Sequence, residues 1–312
     1  MAKYDSDSVK LSIETLKKDK EISLMREAAD IKLLLSSKMQ RSVTLAQEKG
    51  SGAWLNTLPI ASLGYVLNKE EFRDSIRLRY GWQIPNVPAV CICGKKNSVD
   101  HTLTCKNGGH LIFRHNKIRD LNAEFLREIC HDVQVEPELI PVNHLDSIPG
   151  NTSERARLDI SARGLWGPFQ KTMMDVRIFH PNADSYMNRN IDALYLHHEN
   201  SKRKDYEQRV LQVEKCSFTP LVYSTSGGMA PRATNFHQRL AKMVAEKRQE
   251  RYADVMNVMR TKLAFVLLRS VLISVRGARG KKCTVPVTPV SCTSFNLVPE
   301  GLSYEQFIPR SV

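Results

Sequence analysis

The sequence has no apolar run long enough to cross a bilayer; its most apolar window, Leu263 to Val275, is short and broken by Arg269. That window reads as a buried helix, and a membrane is not expected among the partners. Met1 to Lys20 offers neither an apolar stretch nor a small-residue cleavage site, so no secretory signal is expected and the chain reads as intracellular. There is no internal repeat. Negative charge is scarce: 33 Asp and Glu stand against 46 Lys and Arg, a net charge of +13. Such an excess attracts polyanions, because cations near phosphates release condensed counterions, and nucleic acid is a better fit than an acidic membrane surface. Intracellular thiols stay reduced, and four of the seven cysteines (Cys130, Cys216, Cys283, Cys292) have no partner at ligand spacing. These four read as ordinary small residues.

What is present suits a folded protein. A hydrophobic content of 42% over 312 residues is enough for one large domain or two modest ones. Val9 to Gln47 holds no Gly or Pro and predicts one or two helices, giving a helical N-terminal region over 1–50. A helical lead-in follows over 51–90, where Asn68 is placed to cap Lys69 to Leu78, with Phe72, Ile76 and Tyr80 at helical spacing. A cysteine cluster occupies 91–110. Over 111–275 the pattern predicts a helix from His115 to His131 and strands at Val133 to Val142, Arg157 to Ala162 and Thr172 to Phe179. A helix from Ile191 to Val213, a strand from Thr219 to Ser224 and two closing helices complete it. This order predicts an α/β fold with a mixed β-sheet flanked by helices. The composition of 276–312 predicts a flexible tail.

Cys91, Cys93, His101 and Cys105 are spaced C-x-C-x7-H-x3-C. Zinc takes four tetrahedral N or S ligands, and two close pairs joined by a short loop supply them with little chain to order. Gly94 allows a tight turn, and His101 and Cys105 are one helical turn apart. His110 and His115 lie near enough to replace a ligand.

Two acids, Asp159 and Asp175, fall at corresponding points of two adjacent predicted strands. Paired carboxylates at a sheet can hold Mg²⁺ or Mn²⁺ for phosphodiester hydrolysis, with a cation stabilising charge on phosphorus. Arg177 falls on the strand face of Asp175 and suits that part. The same Asp-x-Arg pattern is also common as a surface ion pair. Lys202, Arg203, Lys204 and Tyr206 form a basic stretch with an aromatic, which either contacts phosphate or is a solvated helix face.

Taken together, the knuckle, the phrase Arg114-His115-Asn116-Lys117-Ile118-Arg119-Asp120, then Ala156-Arg157-Leu158-Asp159, Asp175 and Phe218-Thr219-Pro220-Leu221-Val222 resemble the C-terminal part of site-specific non-LTR retrotransposon proteins. Those proteins carry a restriction-like endonuclease of the PD-(D/E)xK superfamily behind a reverse transcriptase. The resemblance spans Cys91 to Val222. It implies a restriction-endonuclease-like core, Asp159 and Asp175 as magnesium ligands, and Arg157 as the basic residue before the first acid. Lys202 or Lys204 with Tyr206 would match the family's later lysine and tyrosine, moved from strand to helix. Arg114, His115 and Arg203 join Arg157 as nucleic-acid contacts. The implied function is metal-dependent nicking of DNA, in the nucleus, by a retroelement-derived protein. Leu158 stands where the superfamily has Pro, and Arg177 where it has Lys; arginine cannot readily act as a base. No Asp-Asp pair occurs, so no reverse transcriptase is expected in this chain. An inactive nucleic-acid-binding protein that kept the nuclease fold is the second expectation, and no organic cofactor is expected in either case.

Overall fold

The stretch without Gly or Pro forms two helices, α1 (Ser6–Leu33) and α2 (Ser37–Ala46). They open a computed structural model that describes residues 6–142 and 150–277. Helix α3 (Lys69–Tyr80) starts where Asn68 predicts. The Asn68 side chain accepts the Glu70 and Glu71 N–H groups at 3.0 and 2.9 Å, and the Glu71 carboxylate returns to the Asn68 N–H. Gly81, at φ 68°, ends the helix; a Cβ there would lie 2.6 Å from Ser42 Oγ of α2. The buried face differs from the expected one. Phe72 and Tyr80 are exposed, whereas Asp74 and Ser75 are inside, because Arg276 forks onto Asp74 with bonds of 2.6 and 3.0 Å.

After the short helix α4 (Val99–Thr104) comes α5 (His110–Arg127), which begins earlier than the pattern suggests, and His131 opens a strand instead of ending that helix. The strands are β1 (His131–Val135), β2 (Ile160–Arg163), β3 (Lys171–Phe179) and β4 (Ser217–Ser224). β1 stops short of Val142 because Glu136 takes a left-handed φ of 53° and Pro137 has no N–H to give a ladder. Arg157, predicted within a strand, makes only an isolated bridge with Glu138. Helix α6 (Ile191–Gln212) crosses from β3 to β4, α7 (Pro231–Arg248) carries proline in its first turn, and α8 (Tyr252–Arg276) is the predicted buried helix. Among the described residues no helix is long and apolar enough to cross a membrane.

The sheet order is β1-β2-β3-β4, with antiparallel pairs β1/β2 and β2/β3 and a parallel pair β3/β4. The protein is therefore a mixed α/β fold, a four-stranded mixed sheet flanked by helices. A parallel pair needs a long crossover, and α6 supplies it. One sheet face packs Ile160, Met174, Val176, Leu221 and Tyr223 against α5, α7 and α8 in the main core. The other packs Met173 and Phe218 against Val210 of α6, joined by Leu158. Alternation along β3 sends Asp175 to this second face, beside Met173. Arg209, 1% exposed, fixes the connection between β1 and β2 by donating to the carbonyls of Ile140, Asn151 and Ser153 at 2.7 to 2.9 Å.

The lead-in and the cysteine cluster share cores with α8: Trp54 packs with Ala264 and Phe265, and Ile84 and Leu103 with Val271 and Val275. Of the expected tail, Arg276 ends α8; residues 278–312, with Cys283 and Cys292, lie outside the described residues.

Candidate metal centre and carboxylate cluster

The knuckle is built from a turn and one helical turn. Gly94, at φ 83°, lets its N–H reach the Cys91 carbonyl at 2.8 Å while the Cys91 N–H bonds Lys95 at 2.9 Å. The hydroxyl of Ser98 caps α4 on the His101 N–H at 3.0 Å, and the Cys105 N–H bonds the His101 carbonyl at 2.8 Å. These bonds aim four side chains at one point. Cys91 Sγ and Cys105 Sγ are 3.8 Å apart, Cys93 Sγ and His101 Nε2 3.2 Å, and all four donor atoms lie within 4.8 Å of one another. Ligands at zinc distances are about 3.3 to 3.8 Å apart along a tetrahedron's edges. The cluster is thus able to coordinate a metal ion. Burial first, with the adjacent Cys91 and Cys93 thiols, raises the Cys105 pKa. His110 and His115 are not members: His110 is buried in α5, and His115 faces a carboxylate.

A polar strut ties the knuckle to the sheet. Buried His180, just past β3, reaches Asp100 Oδ1 of α4 at 2.9 Å through Nε2 and Thr225 Oγ1 beyond β4 at 2.8 Å through Nδ1. Lys38 of α2 pairs with the other Asp100 oxygen at 3.2 Å.

The two acids meet on the α6 face of the sheet. Pairing of Ile160 with Met174 sets Asp159 opposite Asp175 across β2 and β3. There the ladder gives way, and the Val176 N–H donates to Asp159 Oδ2 at 2.6 Å. Asp159 Oδ1 is held by His115 Nε2 of α5 at 2.8 Å. Lys202 Nζ of α6 sits 2.6 Å from Asp175 Oδ2 and 5.7 Å from the centre of the Tyr206 ring. Tyr206 also accepts a hydrogen bond from Asn151 at 3.2 Å.

The environments of the acids push their pKa values apart. Burial raises Asp175 to about 7, with the Asp159 charge adding to burial and Lys202 opposing it. Burial acts upward on Asp159 too, but His115, a hydrogen bond from Asp175 and the Val176 amide together hold it below its ordinary value. Asp175 therefore keeps its proton to a higher pH than a free carboxyl does, while Asp159 stays ionised beside it. Two carboxyls beside a single ammonium form an oxygen donor set short of positive charge, which suits a hard divalent cation.

Other expected site residues stand apart. Lys204 is exposed, two positions and a little over half a helical turn from Lys202. Arg177 is exposed on the Asp175 face and makes no ion pair with either acid; with burial as the larger cause, its charge helps lower His198 to about 4. Arg157 is committed to Glu138 at 2.5 Å and Glu136 at 3.9 Å. Arg203 pairs with Glu207 at 2.8 Å. Arg114 is 2% exposed, donates to the Leu103 carbonyl at 3.0 Å and is lowered to about 10 by burial. It is placed to hold the knuckle against α5 and does not reach a surface ligand. The sequence pattern gave no sign of the His180 strut or of Arg209, since each joins segments far apart in the chain. No family model matches the chain, and no curated protein compared with it is significantly similar.

Proposed function

We propose that this protein is a metal-dependent DNA endonuclease with a restriction-like core and a structural zinc knuckle. The observation that carries the reading is the meeting of Asp159, Asp175 and the Lys202 amine on one face of the sheet. The order α5-β1-β2-β3-α6-β4, which puts the acids on neighbouring strands and the lysine on the crossover helix, supports it. So does the net charge of +13.

Asp159 and Asp175 would hold Mg²⁺ or Mn²⁺, which neutralises their charge and supplies Lewis acidity for hydrolysis of a phosphodiester. His115 and the Val176 N–H fix the rotation of the Asp159 carboxylate, so little freedom is lost when a ligand arrives. Lys202 stabilises negative charge developing on the phosphate and leaves Asp175 Oδ2 to do so. Its place on α6 answers the arginine at 177: the cation of the site comes from the helix. Tyr206 limits where the Lys202 amine can swing. The knuckle takes zinc, because three thiolates and an imidazole are the donors that zinc prefers in closed structural sites. Retroelement origin and nuclear location are carried by the motif resemblance alone.

Nicking of supercoiled plasmid with Mg²⁺ or Mn²⁺ tests the reading. Wild type should nick, and Asp175→Ala should lose activity by about 10³-fold or more, a loss on the scale of removing a group that acts only in the transition state. Equal activity in both would remove Asp175 from the site. Salt-sensitive DNA binding by both without nicking by either would establish the inactive binding protein instead.

A further inference from the structure

A cavity of about 560 Å³ lies among α2, α3 and the knuckle, away from the carboxylates, and is within the range of about 300 to 1,000 Å³ usual for small organic ligands. Four cations line it (Lys38, Arg77, Arg79 and Lys96) against one acid, Asp100: Lys38 is paired with Asp100 at 3.2 Å, Arg77 lies 3.5 Å from Asp74, Arg79 is tied to the Ala46 carbonyl, and Lys96 is exposed. Trp82 also lines the cavity. The residue is 52% exposed, and its ring lies 5.4 Å from that of Tyr80, itself 37% exposed, at an interplanar angle of 33°. Neither ring contributes to a buried cluster, so packing does not explain the pair. The position is fixed all the same: the left-handed Gly81 turns the chain, and the Trp82 N–H bonds the Arg77 carbonyl at 2.8 Å. Across the cavity, Lys96 is exposed on the knuckle turn.

We infer that this cavity and its aromatic rim bind single-stranded DNA, with an unpaired base stacked on Trp82 and a flanking phosphate on Lys96. An open aromatic face beside a cationic groove is the combination that holds single strands without reading sequence, since every base has a π-face. A duplex keeps its bases stacked on each other and gains nothing from the platform. The choice of DNA rests on the cleavage reading; the platform itself does not.

The test is fluorescence anisotropy of a labelled 12-nucleotide DNA with the full zinc-loaded chain in the Asp175→Ala background without Mg²⁺, so that binding is read apart from nicking. Trp82→Ala should weaken single-strand binding about tenfold or more, while binding of a duplex changes by less than about twofold. Trp82→Phe, a substitution at a half-exposed position, should keep binding within about threefold yet abolish most of the tryptophan quenching that wild type shows on adding the strand. Unchanged single-strand binding by Trp82→Ala overturns the inference, as does an equal loss on duplex or tighter binding of RNA of the same sequence. Failure of the nicking assay with the Trp82 effect intact would sink only the cleavage reading.

Discussion

The knuckle and the carboxylate cluster are two ways of assembling a polar site. All four knuckle ligands fall between Cys91 and Cys105, where one glycine turn and one helical turn aim them. The carboxylate cluster draws His115, Asp159, Asp175 and Lys202 from two helices and two neighbouring stretches of sheet, spread over much of the chain. The first is fixed by local geometry, so spacing announces it. The second exists only once the sheet register and the crossover helix are set. A local site depends on its ligands and on what binds them; a distributed one depends on the whole core behind it.

Removing the zinc proposed for the knuckle should produce the largest change. One zinc per untagged chain is expected by metal analysis, and Cys91→Ser or a strong chelator should abolish it and raise amide exchange over 90–110. Exchange in β3 and β4 should stay slow; if the sheet opened equally, the two regions would not be separable. Next, Lys202→Ala should cut nicking by about 10²-fold, the usual cost of one charge-stabilising group, with Lys202→Arg recovering part of it. A smaller effect is thermodynamic. Because Asp175 is raised to about 7, its folded form holds a proton that the unfolded chain releases near pH 4. That contribution is complete below the unfolded value and is lost as pH climbs through about 7. Between pH 5.5 and pH 8 the metal-free wild type should therefore lose stability to urea relative to Asp175→Asn. Glu48, raised to about 7 by burial, acts with the same sign, while His198 and His237, lowered by burial to about 4 and about 3, act with the opposite one, so the difference between the two proteins is the readout. Smallest of all, Lys204→Ala should change nicking by less than about twofold, as for an exposed lysine off the cluster.

This comparison also marks what could be read from the residues alone. The helices and β3 followed from periodicity, and the knuckle from spacing. Asp159 and Asp175 are legible as a pair because they fall at corresponding points of two adjacent predicted strands. Lys202 was not separable from Lys204 by pattern: both belong to one charged run, and only the phase of α6 against the sheet makes one a partner of Asp175 and leaves the other in solvent. Arg177 was chosen for the face it shares with Asp175, but sharing a face does not bring a guanidinium within reach. The motif resemblance implies a nucleic-acid contact at Arg114; the packing of the knuckle on α5 buries it instead. The left-handed Glu136 that ends β1 has no signature in side-chain chemistry, although Pro137 beside it marks a stop.

The bond from the Val176 main chain to Asp159 has a mutational consequence. Its donor belongs to the peptide unit, which every residue except proline retains, so no ordinary replacement at 176 can remove it. Asp159→Asn would keep an oxygen to accept that N–H while giving up the charge and turning its –NH2 toward His115, whereas Asp159→Ala would also leave the amide without its acceptor. The gap in stability between those two variants, free of any question of catalysis, measures how strongly the strand itself grips the carboxylate.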